Sequence, residues 1–201
     1  MKISIILAHP NRGSLNHAIA RRAAETLSAN GHTTTMHDLY AEGFDAILPY
    51  AEFSREARLP REIERYCSEV AEADGIVIVH PNWWGQPPAI LTGWIDRVLR
   101  PGVAYAFLEG DSGEGVPRGL LQAQSAVVLN TSNTESQREI GVFGDPLETI
   151  WRHCVFGLCG IRRVVRRTFS VVVTSSESQR RQWLEETAGI IDREFPREMA
   201  H

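Results

Sequence analysis

Short apolar runs and longer amphipathic segments take turns along the whole chain. The runs at 2–8 and 75–79 are apolar and rich in β-branched residues, which predicts buried strands. Weaker strand patterns follow at 33–38, 125–130 and 164–173. Between the strands, apolar residues recur at helical spacing, so the sequence predicts five helices. They begin after Ser14, at Arg61, near Pro87 or Pro88, at Asp145 and near Thr174.

Local signals set several of the helix ends. Ser14 is a typical N-cap, and Asn30-Gly31 ends the helix that it starts. Asp145-Pro146 combines a cap with a proline that suits the first helical turn. Thr174-Ser175-Ser176-Glu177 resembles a capping box and opens the last helix. Residues 108–119 carry no regular pattern and form a glycine-rich loop, either a lid or passive surface.

The order of these elements predicts the fold. Five strands that alternate with helices favour one parallel sheet with helices on both faces, a three-layer α/β sandwich. They fit the strand order 2-1-3-4-5, and no linker or repeat divides the chain, so we expect a single domain over residues 1–201. In such a sheet a ligand binds beyond the carboxyl ends of the strands, beside the switch point between strands 1 and 3. The loops expected there are 9–16, 80–87 and 130–141.

Composition argues against several classes of function. A chain of 201 residues suits one domain with a sizeable core, and a net charge of −4 argues against general nucleic-acid binding. No apolar run is long enough to span a bilayer. The three cysteines lack metal-ligand spacing, so we expect no metal site and free thiols in a reducing cytoplasm. Core packing is the expected role of Cys154 and Cys159.

The loop at 9–16 brings polar groups to the start of a helix. It matches neither common glycine-rich nucleotide motif, but it holds His9, Arg12 and short polar side chains. Unpaired N–H groups and the helix dipole suit such a place to a phosphate. The alternative is that Ser14 is only a helix cap and His9 only a surface residue.

Three of the five tryptophans lie close together, around a turn that holds glycine and two prolines. Trp94 lies on the apolar face of the predicted helix, which indicates a core position. Trp83 and Trp84 lie on the turn itself, where a planar ligand can stack on them or pack edge-on. The alternative is that these two side chains close the loop against the core.

The third loop, from Asn130 to Gln137, holds seven uncharged polar residues among eight. A solvated surface loop would explain this composition as well as a binding loop. The three loops are more informative together, because independent structural causes would not place all of them at the one edge where this sheet binds ligands.

An ordered set of motifs runs along most of the chain. They are Ile5–Asn16 (IILAHPNRGSLN), Asp38-Leu39-Tyr40, the pattern P-A-I-L-x-G-W-x-D-R-V within Pro81–Val98, Val103–Phe107 (VAYAF) and Gly144-Asp145. The set resembles the flavodoxin-like NAD(P)H quinone oxidoreductases. This group contains the mammalian quinone reductases, bacterial modulator-of-drug-activity reductases and the ancillary proteins of glutathione-gated potassium efflux.

The resemblance implies a non-covalent flavin, with NAD(P)H as co-substrate and a quinone or similar flat electrophile as acceptor. Hydride transfer would follow a ping-pong scheme in a cytoplasmic homodimer that does not insert into membranes. FMN is favoured over FAD, because the carboxyl-terminal segment shows no adenine-binding extension. Three other functions stay open, namely an electron-carrier flavodoxin, a regulatory ancillary flavoprotein of a membrane transporter and a flavin-free α/β hydrolase. The chain lacks the carrier's Ser/Thr-Gly-rich phosphate loop and its markedly acidic surface.

Matching positions imply which residues form the site. The residues implied for the phosphate end are His9, Ser14, Leu15 and Asn16. Those implied for the isoalloxazine ring are Pro81, Asn82, Trp83 and Trp84 on one side and Thr131, Ser132 and Asn133 on the other. Tyr105 and Phe107 match aromatic residues that reach the substrate pocket in the family, often across a dimer interface.

The chain departs from the mammalian enzymes at the proposed proton-handling residues. Ser132-Asn133 stands where those enzymes have Gly-Gly, and Gln137 and Phe143 stand about where they have Tyr and His. We therefore expect Asn133, Gln137 or Arg138 to stabilise an anionic flavin oxygen. With Tyr105 at the substrate, the expected catalytic residues are Asn133, Gln137 and Tyr105.

Overall fold

The computed structural model describes residues 1–108, 110–111 and 114–197. Five strands form one parallel sheet: β1 (Lys2–Leu7), β2 (Thr33–Asp38), β3 (Gly75–Pro81), β6 (Ser125–Ser132) and β7 (Arg163–Ser170). A short antiparallel hairpin joins β4 (Tyr105–Ala106) to β5 (Arg118–Gly119). The sheet order is β2-β1-β3-β6-β7, which is 2-1-3-4-5 when only the sheet strands are counted. The predicted strand order is thus confirmed.

The helices are α1 (Leu15–Ala29), α2 (Arg61–Glu72), α3 (Ala89–Val98), α4 (Ser136–Phe143), α5 (Pro146–Glu148) and α6 (Glu177–Glu194). A π-helical segment, Thr149–Gly157, continues α5, and a single 3₁₀ turn covers Tyr50–Glu52. Helices α1 and α6 pack on one face of the sheet, and α2, α3 and the π-helical segment pack on the other. Both faces of the sheet are therefore covered.

The central strand β3 shows why residues 75–79 form an unbroken apolar run. All of its residues are buried. Ile76 and Ile78 belong to the apolar cluster on the α2 and α3 side, whereas Val77 and Val79 belong to the cluster on the α1 and α6 side. Because successive side chains point to opposite faces, a strand covered on both faces favours apolar residues at successive positions.

A buried ion pair fastens the irregular segment at 44–54 to helix α3. Arg97 Nε and Nη2 donate to the two carboxylate oxygens of Glu52 at 2.9 and 2.5 Å. Arg97 Nη1 also donates to the carbonyl of Asp45 at 2.5 Å, and Arg100 Nη2 donates to the carbonyls of Glu52 and Ser54. Arg97 lies in the last turn of α3 and Arg100 just after the helix, and together they hold a segment that has almost no regular structure.

Several features differ from the sequence-based expectations, among them Asp145, whose side chain makes no cap hydrogen bond to α5. Helix α4 occupies part of the stretch expected to be a loop. It is short, its apolar residues Ile140, Val142 and Phe143 are exposed, and it buries the polar Glu139, so it lacks the buried apolar face of the longer helices. Helix α6 begins after Ser176, whose Oγ accepts the Gln179 N–H at 3.1 Å, and not at Thr174 as the capping-box pattern predicts. Cys154 is exposed rather than packed in the core, while Cys159 is buried. In the predicted loop 108–119, residues 109, 112 and 113 lie outside the described residues.

Candidate functional site

A cleft of about 800 Å³ opens at the carboxyl edge of the sheet. Its walls come from the segments that follow β1, β3 and β6, with contributions from α4, α5 and α6. Strands β1 and β3 are neighbours in the sheet, and the chain leaves them towards β2 on one side and β6 on the other. The cleft therefore lies at the topological switch point, where this architecture binds ligands.

The loop after β1 is held in shape by its own polar groups. His9 Nδ1 accepts the Asn11 N–H at 3.0 Å, and Asn11 Oδ1 accepts the Gly13 N–H at 2.8 Å. Ser14 caps α1 by accepting the His17 N–H at 3.3 Å. Burial lowers the pKa of His9, so this imidazole stays neutral over more of the pH range than an exposed one.

Ser14 is also one end of a chain of hydrogen bonds that leads away from the cleft. Its Oγ lies 2.9 Å from His17 Nδ1, and His17 Nε2 lies 3.0 Å from Asp38 Oδ2. Asp38 ends strand β2, the neighbour of β1 in the sheet. The parallel pairing of β1 and β2 brings these residues together, although Asp38 is far from Ser14 in sequence.

The turn after β3 is built around Asn82. Its backbone N–H donates to the Thr131 carbonyl at 2.7 Å, its Oδ1 accepts the Gly85 N–H at 2.9 Å, and its Nδ2 donates to Glu139 Oε1 at 2.9 Å. Gly85 has φ +73°, and a Cβ there would lie 2.6 Å from Pro146 Cγ. Glycine is therefore required both by the backbone conformation and by the close approach of α5.

The two tryptophans of this turn face outward. Trp84 has φ +59° and a fully exposed side chain, and the side chain of Trp83 is 41% exposed. Trp83 and Gln86 exchange backbone hydrogen bonds at 3.1 and 3.0 Å, which fixes the turn between them. Large aromatic surface is thus left at the cleft by a rigid turn, and it is not used to fill the core.

The end of β6 supplies the opposite wall. Asn16 Nδ2 donates to Thr131 Oγ1 at 2.9 Å, while Asn16 Oδ1 is buried and has no hydrogen-bond partner among the described residues. Ser132 Oγ accepts the Thr134 N–H at 3.0 Å, and Asn133 Oδ1 accepts the Val173 N–H at 2.9 Å. A buried polar atom that lacks a protein partner is best explained by a ligand or water that completes it.

Behind the cleft, a buried histidine ties β3 to β6. His80 Nδ1 donates to the Pro81 carbonyl at 2.8 Å, so Nε2 is free to accept from Trp151 Nε1 at 2.9 Å and from Asn130 Nδ2 at 2.8 Å. Complete burial lowers the pKa of His80 to about 4, which keeps the ring neutral. This network fixes the strand ends from which the cleft loops leave.

The comparisons with known proteins agree with this geometry. A family model described as flavodoxin-like fold matches residues 1–190. A Haemophilus influenzae protein, named as an uncharacterized NAD(P)H oxidoreductase, is 34% identical over 191 residues, which is 90% of this chain and 89% of that protein. The chain belongs to the flavodoxin-like NAD(P)H quinone oxidoreductase family.

Other known proteins are also similar to this chain over most of their length. The human ribosyldihydronicotinamide dehydrogenase [quinone] is 29% identical, covering 90% of this chain and 86% of that protein. The solved structure of Smu.1420 from Streptococcus mutans has 31% identity and a TM-score of 0.82, covering 96% of this chain and all of that one. The NAD(P)H:quinone oxidoreductase from Methanothermobacter marburgensis has 25% identity and a TM-score of 0.84, covering 100% and 99%.

All the residues predicted for the cofactor line this one cleft. They are His9, Ser14, Leu15, Asn16, Pro81, Asn82, Trp83, Trp84, Thr131, Ser132 and Asn133. Among the described residues, Gln137 and Tyr105 are not part of its lining. Gln137 is exposed on α4, and Tyr105 packs edge-on against Phe107 in the hairpin, with ring centroids 5.8 Å apart. The roles expected for these two residues stay predictions.

Several lining residues were not anticipated from the sequence. Pro146 from α5, and Val172 and Arg180 from the last βα unit, all reach the cleft, whereas Glu139 of α4 lies within the stretch 130–141 that was expected there. Arg180 is held by Ser175 Oγ at 2.9 Å and the Val172 carbonyl at 3.3 Å, so it presents a fixed positive charge. Among these residues, only Arg180 had a sequence signal that could have placed it at the cleft, because it is a cation in the first turns of a helix that starts at the carboxyl edge of the sheet.

The described part of the chain also contains neither a helix long and apolar enough to cross a membrane nor a cluster of side chains suited to hold a metal ion.

Proposed function

We propose that the protein is a flavin-dependent NAD(P)H oxidoreductase that reduces quinones or similar flat electrophiles. The observation that carries the proposal is that all the residues predicted for a flavin line one cleft of about 800 Å³. This volume lies in the range typical of small-molecule sites. We also propose that residues 1–201 form one flavin-binding domain and that the enzyme works as a cytoplasmic homodimer.

The chemistry of the lining fits a flavin. At the amino end of α1, free backbone N–H groups, Ser14 and Asn16 would hold the phosphate, since a helix amino end favours anions. Arg180 adds a positive charge to the same cleft. Trp83 and Trp84 offer aromatic surface to the ring, and Ser132 and Asn133 offer polar groups from the opposite wall. FMN is the favoured form.

The protein's own part in the reaction is binding and orientation. When bound, the flavin would supply the hydride chemistry, and no side-chain nucleophile is needed. NAD(P)H and the quinone would occupy the space against the tryptophan turn one after the other, as a ping-pong scheme requires. Holding each reactant close to the same ring face is the contribution of the rigid turn around Asn82. Asn133 and Gln137 would stabilise developing negative charge, and Tyr105 would contact substrate across the dimer interface.

The test begins with the purified protein. We expect the visible absorption spectrum of an oxidised flavin, release of FMN on denaturation, and bleaching by NADH or NADPH without any other protein. Menadione or benzoquinone should then restore the oxidised spectrum and support turnover. A colourless protein that binds neither FMN nor FAD would overturn the proposal. A flavoprotein that bleaches only in the presence of a separate reductase would favour the electron carrier instead.

A further inference from the structure

A carboxylate, an imidazole and a hydroxyl form a continuous chain from the interior to the cleft. Asp38 Oδ2 lies 3.0 Å from His17 Nε2, and His17 Nδ1 lies 2.9 Å from Ser14 Oγ. The side chains of His17 and Asp38 are only 9% and 16% exposed, whereas Ser14 lines the cleft. The proposed flavin chemistry uses Ser14 alone, so it does not explain why a buried imidazole–carboxylate pair lies behind it.

With a neutral imidazole, each group in the chain donates its proton to the next group away from the cleft. The Asp38 carboxylate only accepts, so it holds the single ring proton on His17 Nε2 and leaves Nδ1 as an acceptor. The Ser14 hydroxyl then donates to Nδ1. The backbone N–H of His17 donates to Ser14 Oγ at 3.3 Å as well. Ser14 therefore turns an oxygen lone pair, and not a proton, towards the cleft, which disfavours an anion there.

With a protonated imidazole, the hydrogen bond between Ser14 and His17 is reversed, while the one to Asp38 keeps its direction. Both ring nitrogens then donate, Nε2 to Asp38 and Nδ1 to Ser14 Oγ. The hydroxyl proton of Ser14 is released from His17 and can donate into the cleft. The positive charge on the ring is paired with the Asp38 carboxylate, and the Ser14 hydroxyl lies between the ring and the cleft. In this state Ser14 suits a phosphate oxygen.

A second observation marks the place as a ligand site. Asn16, in the first turn of α1 that Ser14 caps, lines the cleft and is 2% exposed. Its Oδ1 has no hydrogen-bond partner among the described residues. A buried polar atom of this kind calls for a ligand or a water between α1 and the end of β6.

We propose that His17 and Asp38 are positioning residues that couple the binding of a phosphoryl group at Ser14 to the uptake of one proton by His17. This inference rests on the proposed function, because the phosphoryl group is that of the flavin. The proton comes from solvent and forms an N–H bond at Nδ1. The phosphate keeps its own charge, and no other bond changes.

His9 is the titratable group that could mimic this behaviour. It is the other imidazole beside His17, with ring centroids 6.3 Å apart, while Asp38 is the carboxylate that faces His17 from β2. Burial lowers the pKa of His9, and its Nδ1 already accepts the Asn11 N–H. His9 is therefore the less suitable proton acceptor, and the experiment must separate the two histidines.

The decisive measurement uses the wild-type protein freed of flavin. FMN and riboflavin differ only in the phosphate, so their binding is compared by titration calorimetry at a pH of about 7.5, about one unit above the pKa of an unperturbed imidazole. The titration is repeated in buffers with different ionisation enthalpies. We expect uptake of about one proton per FMN and almost none per riboflavin. No uptake with FMN, or equal uptake with both, overturns the relay and leaves the proposed function intact. Binding of neither flavin overturns both.

Variants then locate the proton. His17→Gln should abolish the uptake and lower the ratio of FMN to riboflavin affinity about tenfold, as expected for loss of a charge-assisted hydrogen bond. Unchanged riboflavin binding shows that this variant is folded. Asp38→Asn should reduce the uptake, because the protonated ring loses its carboxylate, and it serves as the second variant if His17→Gln does not fold.

His9→Gln is the matched control, since it removes the neighbouring imidazole of the same cleft. It should weaken FMN binding and keep the proton uptake. If His17→Gln retains the uptake, the proton goes to the phosphate or to another group and the relay is wrong. If His9→Gln abolishes it, His9 is the acceptor and the relay is equally wrong.

Discussion

Trp84 and Trp94 come from the same short stretch of chain and end in opposite environments. The side chain of Trp84 is fully exposed on the turn after β3, whereas Trp94 is 1% exposed inside the cluster under α3. Trp94→Ala should lower the free energy of unfolding by about 3–5 kcal/mol, since it removes a large buried aromatic ring. Trp84→Ala should change it by less than about 0.5 kcal/mol and should weaken flavin binding. Urea unfolding and flavin titration measure the two effects. If Trp84→Ala unfolds the protein without changing the flavin affinity of the folded fraction, the site assignment is wrong.

His80 predicts a specific dependence of stability on pH. Burial lowers its pKa from 6.5 to about 4, so the unfolded chain takes up this proton first as the pH falls. The stabilisation by neutral His80 is therefore fully present above pH 6.5 and is lost towards pH 4, a loss of about 3 kcal/mol. Urea unfolding at a pH of about 7 and of about 4.5 should show it. Carboxylates contribute to the same trend, so the comparison is with His80→Gln, whose stability should fall less over this interval. An equal fall in both proteins would contradict the assignment.

At the scale of elements, two helical glycines make opposite predictions. A Cβ on Gly93 of α3 would lie 2.0 Å from the carbonyl oxygen of Ala46, which belongs to the segment held by Arg97. Gly93→Ala should therefore destabilise the fold by about 1–3 kcal/mol, because a backbone must move. Gly141 of α4 is exposed and has nothing within 4 Å, so Gly141→Ala should stabilise by about 0.5–1 kcal/mol. Thermal or urea unfolding of both variants is the measurement. Equal stabilities would show that the approach of α3 to residue 46 is not tight.

The elements also show what a sequence can and cannot predict. Strands such as β1 and β3 were recognisable because each carries its own apolar run, the polar β2 from its β-branched threonines, and α1 because Ser14 and Asn30 mark its ends. Helix α4 was not recognisable, since its apolar residues are exposed and form no buried face. The predicted start of α6 was too early, because several residues around Ser176 could serve as the cap. Local sequence reports local energetics, and it is least informative where alternative caps or exposed faces compete.

The fold of the whole molecule explains why the sequence predicts only part of the residues that line the cleft. Residues directly after β1, β3 and β6 must meet at the carboxyl edge once the strand order is known. Pro146 and Arg180 reach the same cleft from helices that return over it, and their position depends on how α5 and α6 pack. The link from Asp38 to Ser14 likewise exists only because β2 pairs with β1.

The proposed homodimer gives a prediction for the whole molecule. Tyr50 and Phe53 are 93% and 74% exposed, although Glu52 between them is anchored by Arg97 inside the fold. Arg55 lies over the ring of Phe107, 5.1 Å from its centroid, so this apolar surface adjoins the β4 hairpin. Apolar side chains displayed by a rigid segment suit a second copy of the chain.

We expect sedimentation at micromolar concentration to give a dimer, and Phe53→Glu to shift it to monomer by placing a charge in the interface. Val173→Glu, at an exposed position of the β7–α6 loop, is the control and should leave the dimer intact. A wild-type protein that sediments only as a monomer would contradict both the dimer and the role proposed for Tyr105 across its interface.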